Sequence, residues 1–183
     1  MLRNEIEQFR NRIDSIDNEI LKLISRRREC AIKIGALKDE LRTSSAEVKL
    51  GAYDSKREAE IIQKLAASFP NLSETSVEAI FREIISFCRN SAHKTVICIL
   101  SNDWHYLEAA KAHFGRSCEF RGFTDSDEFM AALSESQFNI ALVPQNVTAG
   151  ALEKITNSGY IQNDIISVFL DEKMAKAYVF AHE

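Results

Sequence analysis

Residues that break or cross-link a chain are scarce here. Only two prolines occur in 183 residues, and none lies between Arg3 and Leu41. No run approaches the ~20 apolar residues that span a membrane. No apolar run follows Met1-Leu2-Arg3-Asn4-Glu5 either, so the start does not read as a signal peptide. The four cysteines, Cys30, Cys88, Cys98 and Cys118, show no paired spacing and are expected as reduced thiols in a cytoplasmic protein. The four histidines are scattered, which argues against a structural zinc site. A basic excess is missing as well. Residues 1–92 carry 16 Lys and Arg against 15 Asp and Glu, and residues 93–183 carry 7 against 12. Neither half looks like a nucleic-acid binder. The triplet Arg26-Arg27-Arg28 makes no patch on a helix, because consecutive residues point in different directions. What the chain does have is 45% apolar residues, enough for one large or two small cores.

The stretch Arg3–Leu41 organises the rest. Ile6, Phe9, Ile13, Ile16, Ile20, Leu23, Cys30, Ile34, Leu37 and Leu41, with position 27 included, recur at spacings of 3 and 4 without a slip. That is the seam of a helix of roughly 55 Å packed along another helix. Position 27 is Arg27, the one charge in the seam, and a guanidinium among Ile and Leu needs an anion. Lys38, three turns on, projects from nearly the same face. Arg10, 17 residues earlier, projects roughly 100° away.

Beyond Leu41 the spacing predicts a long loop from Arg42 to Tyr53, with a helical turn at Ala46–Leu50. Ser55-Lys56-Arg57-Glu58 fits a capping box, with Asp54 as the alternative cap. A second helix then carries Ile61, Ile62 and Leu65 to Phe69-Pro70. Ser73 caps a third, whose apolar face is Val77, Ile80, Phe81, Ile84, Ile85 and Cys88. These two short helices cannot cover the far end of the long one, and a second copy of the chain can. From His93 the pattern changes to alternating strands and helices. Strands are predicted at Thr95–Leu100, Cys118–Phe123, Phe138–Val143, Ile165–Leu170 and Ala177–Phe180. Helices are predicted at Tyr106–Phe114, Asp125–Ser134 and Thr148–Asn157. This predicts an α/β unit with a mainly parallel sheet. Residues 1–92 and 93–183 are thus expected as two domains.

The segments FRNRIDSIDNEILKLISRRRECAIKIGALK, YDSKRE and AIFREIISFC resemble the all-helical (type II) chorismate mutases over about residues 5–90. The resemblance implies an intertwined three-helix homodimer that rearranges chorismate to prephenate, with no metal or organic cofactor. The substrate is a dicarboxylate and its rearrangement is pericyclic. The protein has only to hold the reactive conformer and stabilise charge on the breaking ether oxygen. By resemblance Arg27 binds one carboxylate, Arg10 reaches the other in the partner's site, and Lys38 serves the ether oxygen and a carboxylate. Arg57 is a further cation, Glu58 and the backbone at Asp54 hold the ring hydroxyl, and Cys88 and Ala92 take the third helix's places in the site. Ala92 stands where the family has a Gln or Glu donor. Losing such a donor costs about 2.7–4 kcal/mol. Ser91 and His93 are the neighbouring residues able to compensate.

The segments KTVICILSNDWHYLEAAKAHFG and FNIALVPQNVTAGAL resemble the start of prephenate dehydratase domains, which follow the mutase in bifunctional enzymes of phenylalanine synthesis. This implies one lobe of a periplasmic-binding-like domain. The family's Gly-Pro-rich turn is replaced by Ser101-Asn102-Asp103-Trp104, and its Thr-Arg-Phe motif is absent, so no dehydratase activity is expected. Trp104 is expected to pack, and Pro144–Thr148 to be either an anion site at a helix N-terminus or a plain turn. The leading expectation is a dimeric chorismate mutase. Two alternatives remain: a non-catalytic chorismate- or prephenate-binding regulatory or partner protein, and a related reaction on isochorismate or aminodeoxychorismate.

Overall fold

The computed structural model describes residues 2–44, 53–134, 139–170 and 173–182. Helix α1 spans Leu2–Ser44. It runs past Leu41 because Thr43 and Ser44 both donate their hydroxyls to the Glu40 carbonyl at 2.8 Å, satisfying the last turn. The residues from Arg42 to Ser44, expected as loop, are therefore helical, and the expected turn at Ala46–Leu50 lies outside the described residues. Helix α2, Ser55–Ser68, is capped by Asp54, whose carboxylate accepts from the Arg57 amide at 2.9 Å. Ser55 does not cap it. Its hydroxyl donates instead to Asn163 Oδ1, 2.6 Å away in the second unit. Helix α3, Glu74–Ala92, starts at the predicted Ser73 cap.

α1 packs along α3 near Gly35, where a Cβ would lie only 2.8 Å from His93 Nε2 and 3.3 Å from Ala92 Cβ. Its other half is bare. Phe9 is 65% and Ile16 46% exposed, and the rest of the predicted seam up to Leu23 is exposed too. On α3, Val77, Ile85 and Cys88 are buried as expected, but Ile80 is exposed. Two residues outside the predicted apolar face, Ser86 and Arg89, are buried instead.

The second unit is built from β1 Val96–Leu100, α4 Trp104–Phe114, β2 Glu119–Phe123, α5 Ser126–Ser134, β3 Ile140–Pro144, α6 Ala149–Asn157, β4 Tyr160–Leu170 and β5 Lys173–His182. The sheet order is β2-β1-β3-β5-β4. β1 pairs parallel with β2 and β3, whereas β5 pairs antiparallel with both β3 and β4. The sheet is therefore mixed rather than mainly parallel. Leu170 faces Lys173 across a hairpin, and a connection that short cannot make a parallel crossover. β4 starts at Tyr160 rather than Ile165, with a register shift between Gln162 and Asp164. Alternation sends Ile97 and Ile99 towards α4 and Val96 and Cys98 towards α5 and α6, giving one core on each face. The α4-side core also takes in Tyr53 from the segment ahead of α2.

Trp104 does not pack into either core. It is exposed and stacks on His105, with ring centroids 4.0 Å apart. At Pro144–Thr148 two turn amides are already bonded within the fold, Gln145 N to the Lys176 carbonyl and Val147 N to that of Pro144. The arrangement is that of a plain turn. Among the described residues no helix is long and apolar enough to cross a membrane.

The two units join where α3 meets the end of α4. Arg82 Nη1 donates to the His113 carbonyl at 2.6 Å and Arg89 Nη2 to the Phe114 carbonyl at 2.7 Å. Two guanidinium groups thus sit on the negative end of α4. Glu83 completes the junction by accepting from the Arg116 amide at 2.9 Å. Gly115, at φ +79°, lets the chain leave α4 against α3, since a Cβ there would fall 2.4 Å from Ser86 Cβ.

Candidate active site

A cavity of about 190 Å³ opens between the C-terminal half of α1, the first turn of α2 and the end of α3. Each element delivers its residues for a local reason. On α1 the 11-residue spacing aligns Arg27 with Lys38, and both line the cavity with Ile34 and Gly35 between them. On α2 the Asp54 cap fixes where the helix begins, which places Asp54, Arg57 and Glu58 at the mouth. On α3, Ile85, Cys88, Arg89 and Ala92 follow at helical spacing, and the residue after the helix, His93, closes the end.

Of the residues named from sequence, the structure brings together Arg27, Lys38, Asp54, Arg57, Glu58, Cys88 and Ala92. Arg10 is not among them. It lies 17 residues from Arg27, ~25 Å along the helix, exposed and paired with Glu7 at 2.8 Å. Within one chain it cannot reach the cavity.

Arg89 was not anticipated. Its Nη1 donates to Glu58 Oε1, its Nη2 donates to the Phe114 carbonyl, and Cys118 Sγ lies 3.5 Å from Nη2. The Tyr53 ring centroid is 5.4 Å from the guanidinium carbon. Burial works against the charge on Arg89, but Glu58 and the Cys118 sulfur outweigh it and raise its pKa above the usual arginine value. Nε of Arg89 has no hydrogen-bond partner among the described residues. Arg89 stands four residues after Ile85 at the flank of the predicted apolar face, and the contacts that bury it come from Phe114 and Cys118, far along the chain.

Of the two residues able to compensate for Ala92, Ser91 donates its hydroxyl to the Phe87 carbonyl at 2.8 Å and does not line the cavity. His93 does, with Nε2 3.6 Å from Asp39 Oδ2. The lining holds four cationic side chains, Arg27, Lys38, Arg57 and Arg89, against two carboxylates, Asp54 and Glu58. That excess favours a small anion carrying more than one negative group.

Next to the cavity, Tyr53 Oη lies 2.8 Å and Asp164 Oδ2 3.4 Å from His113 Nε2. Burial, and then Arg82, push the His113 pKa down to about 4. Burial, and then Glu58 and Asp164, hold the Tyr53 phenol protonated well above its ordinary range. Tyr53 thus remains a phenol between the cavity wall and the second unit.

Residues 9–93 match the chorismate mutase type II family. The helical unit is thus similar to a type II chorismate mutase domain. The similarity continues beyond that domain. A bifunctional chorismate mutase/prephenate dehydratase from Stutzerimonas stutzeri is 28% identical over 166 residues, covering 89% of this chain and 45% of that protein. Proteins of the same description from Pseudomonas aeruginosa and Aquifex aeolicus are 27% and 25% identical and cover 90% and 88% of this chain. The chain spans about 45% of the length of these curated relatives. Its α/β unit is similar to the part that follows the mutase domain in them, and its fold agrees with half of a dehydratase domain. No solved structure matches the chain.

Proposed function

We propose that this protein is a homodimeric chorismate mutase whose chemistry lies in residues 1–92, with residues 93–183 a second domain that catalyses no dehydration. The observation that carries the reading is the convergence of Arg27, Lys38 and Arg57 with Glu58 and Asp54 on one cavity of the mutase domain. Chorismate carries two carboxylates and a ring hydroxyl. Arg27 clamps one carboxylate, and Arg57 adds to the positive field at the mouth. Lys38 donates towards the ether oxygen, where negative charge grows as the carbon–oxygen bond breaks. Glu58 and the Asp54 backbone take the hydroxyl, and Cys88 and Ala92 shape the wall. No proton transfer or covalent intermediate is needed, so holding the chair-like conformer is most of the task.

The second carboxylate calls for Arg10, which only a second chain can deliver. The bare seam of α1 supports such a partner, because a helix cannot leave that much apolar surface in water. The partner's Arg10 then completes each site.

The decisive experiment follows loss of chorismate absorbance with prephenate identified as the product. Conversion well above the uncatalysed rate, abolished in an Arg27→Ala dimer, is the expected result. Normal turnover by Arg27→Ala would refute the assignment.

One observation favours a second reading. Ala92 lines the cavity where a donor is expected and can donate nothing. On that reading the protein binds chorismate or prephenate without turning it over and acts as a regulatory or partner protein. Binding by calorimetry with no conversion would select it. The same clamps also accept isochorismate or aminodeoxychorismate, which the assay separates by product.

A further inference from the structure

The Glu58–Arg89 pair does more than neutralise two charges. Both side chains are largely buried, at 14% and 7% exposed. One arm of the Arg89 fork holds Glu58 Oε1, which leaves the other carboxylate oxygen to accept from a ligand. The second arm is held by the α/β unit, through the Phe114 carbonyl at 2.7 Å and Cys118 Sγ at 3.5 Å. Tyr53, one residue before the α2 cap, lies under the same guanidinium and reaches His113 of α4. A single rigid fork therefore spans the cavity wall and the second domain, with both ends defined.

We propose that Arg89 is the positioning residue of this cavity: it orients Glu58 towards the substrate hydroxyl and is itself oriented by the end of α4, so that the α/β unit sets the geometry of the mutase site. The proposal rests on the reading above, in which Glu58 receives that hydroxyl. It gives the α/β unit a task that requires no reaction of its own.

The hydroxyl sits on the ring carbon next to the breaking carbon–oxygen bond, but it forms and breaks no bond itself in the rearrangement. Losing its partner weakens ground state and transition state alike and appears in KM rather than kcat. In the full-length protein, Arg89→Met is expected to raise KM about 10- to 100-fold, the scale of a misplaced contact, with kcat within about threefold. Glu58→Ala should do the same, and the double variant should be no worse than either single one. Arg89→Lys keeps the charge but cannot span both partners, so its KM should fall between. Cys118→Ala, on the α/β side, should raise KM about threefold, and not at all once Glu58 is Ala. If Arg89→Met fails to fold, the double variant, which leaves no buried charge unpaired, and Arg89→Lys carry the test.

KM effects that multiply in the double variant, a fall in kcat at constant KM, or an Arg89→Met protein with wild-type KM would each overturn the positioning role while leaving the mutase reading intact. If the unaltered protein binds chorismate without converting it, the same cycle is read on Kd by calorimetry. Neither conversion nor binding by the unaltered protein would overturn both readings.

Discussion

The bare half of α1 permits a quantitative test of the dimer. Ile13, Ile16 and Ile20 are 55%, 46% and 46% exposed in one chain. Full burial of an isoleucine contributes about 2 kcal/mol, so covering the exposed half of each contributes about 1 kcal/mol. Each position occurs twice in a dimer, giving about 2 kcal/mol per position and roughly 6 kcal/mol for the three. At ~1.4 kcal/mol per factor of ten, Ile13→Ala/Ile16→Ala/Ile20→Ala should raise the dimer Kd by about four decades. Alanine is the better helix former, so the helix itself is not weakened by the change. Sedimentation equilibrium from nanomolar to tens of micromolar reads the shift, and chorismate turnover read at the same concentrations should fall with the dimer. A triple variant that dimerises as tightly as the unaltered protein, or an unaltered protein that is monomeric at tens of micromolar, would refute the reasoning.

Two further tests address the chemistry and the domain junction. Ala92→Gln should restore a donor near the ether oxygen and raise kcat by about 100-fold. An unchanged kcat would mean that another group, such as His93, already fills the place. The buried His113 should make stability pH-dependent. Its pKa is about 4 when folded and 6.5 when unfolded, and Tyr53, Asp164, Arg82, Arg89 and Glu78 are the groups around it. Below pH ~6.5 the unfolded chain takes up a proton that the folded one refuses. This contribution is therefore complete above that pH and is lost as pH falls towards about 4. The loss between pH 7 and pH 5 is about 2 kcal/mol. Urea unfolding at the two pH values measures it, and His113→Gln should remove that part of the difference.

The parts of this molecule legible from sequence are those set by local periodicity. The 3-and-4 seam of α1 and the 11-residue offset of Lys38 from Arg27 were enough to put both cations on one wall. Ser73, and Asp54 as the alternative to Ser55, marked helix starts because cap chemistry is local. Arg89 escaped because it is buried by α4, which arrives from the other unit, and nothing adjacent in the chain announces that contact. The polar run Gln162-Asn163-Asp164 concealed the first part of β4, since it lies beside a register shift and its Asn163 and Asp164 meet Ser55 and His113 rather than an apolar core. The direction of β5 was readable but was missed. Six residues separate Leu170 from Ala177, too few for a crossover. Arg10 falls in a third class, since its expected place belongs to another copy of the chain.

The place of β5 in the sheet bears on how the second unit comes to exist. Among the described residues β5 is the only strand that β4 pairs with, and it separates β4 from β3. During synthesis β1, α4, β2, α5 and β3 can assemble as they emerge, with each new strand laid against one already present. β4 cannot join them, because its neighbour follows it in the chain. It must wait as an unpaired, partly apolar strand until β5 is made, and the two then dock on β3 as a hairpin. Until that moment the α4-side core lacks Val168 and Val179, and the end of α4 that holds Arg89 is only half supported. The helical unit is synthesised first, yet the α4-side core behind its Arg89 is completed last, by a strand more than 80 residues downstream of Arg89.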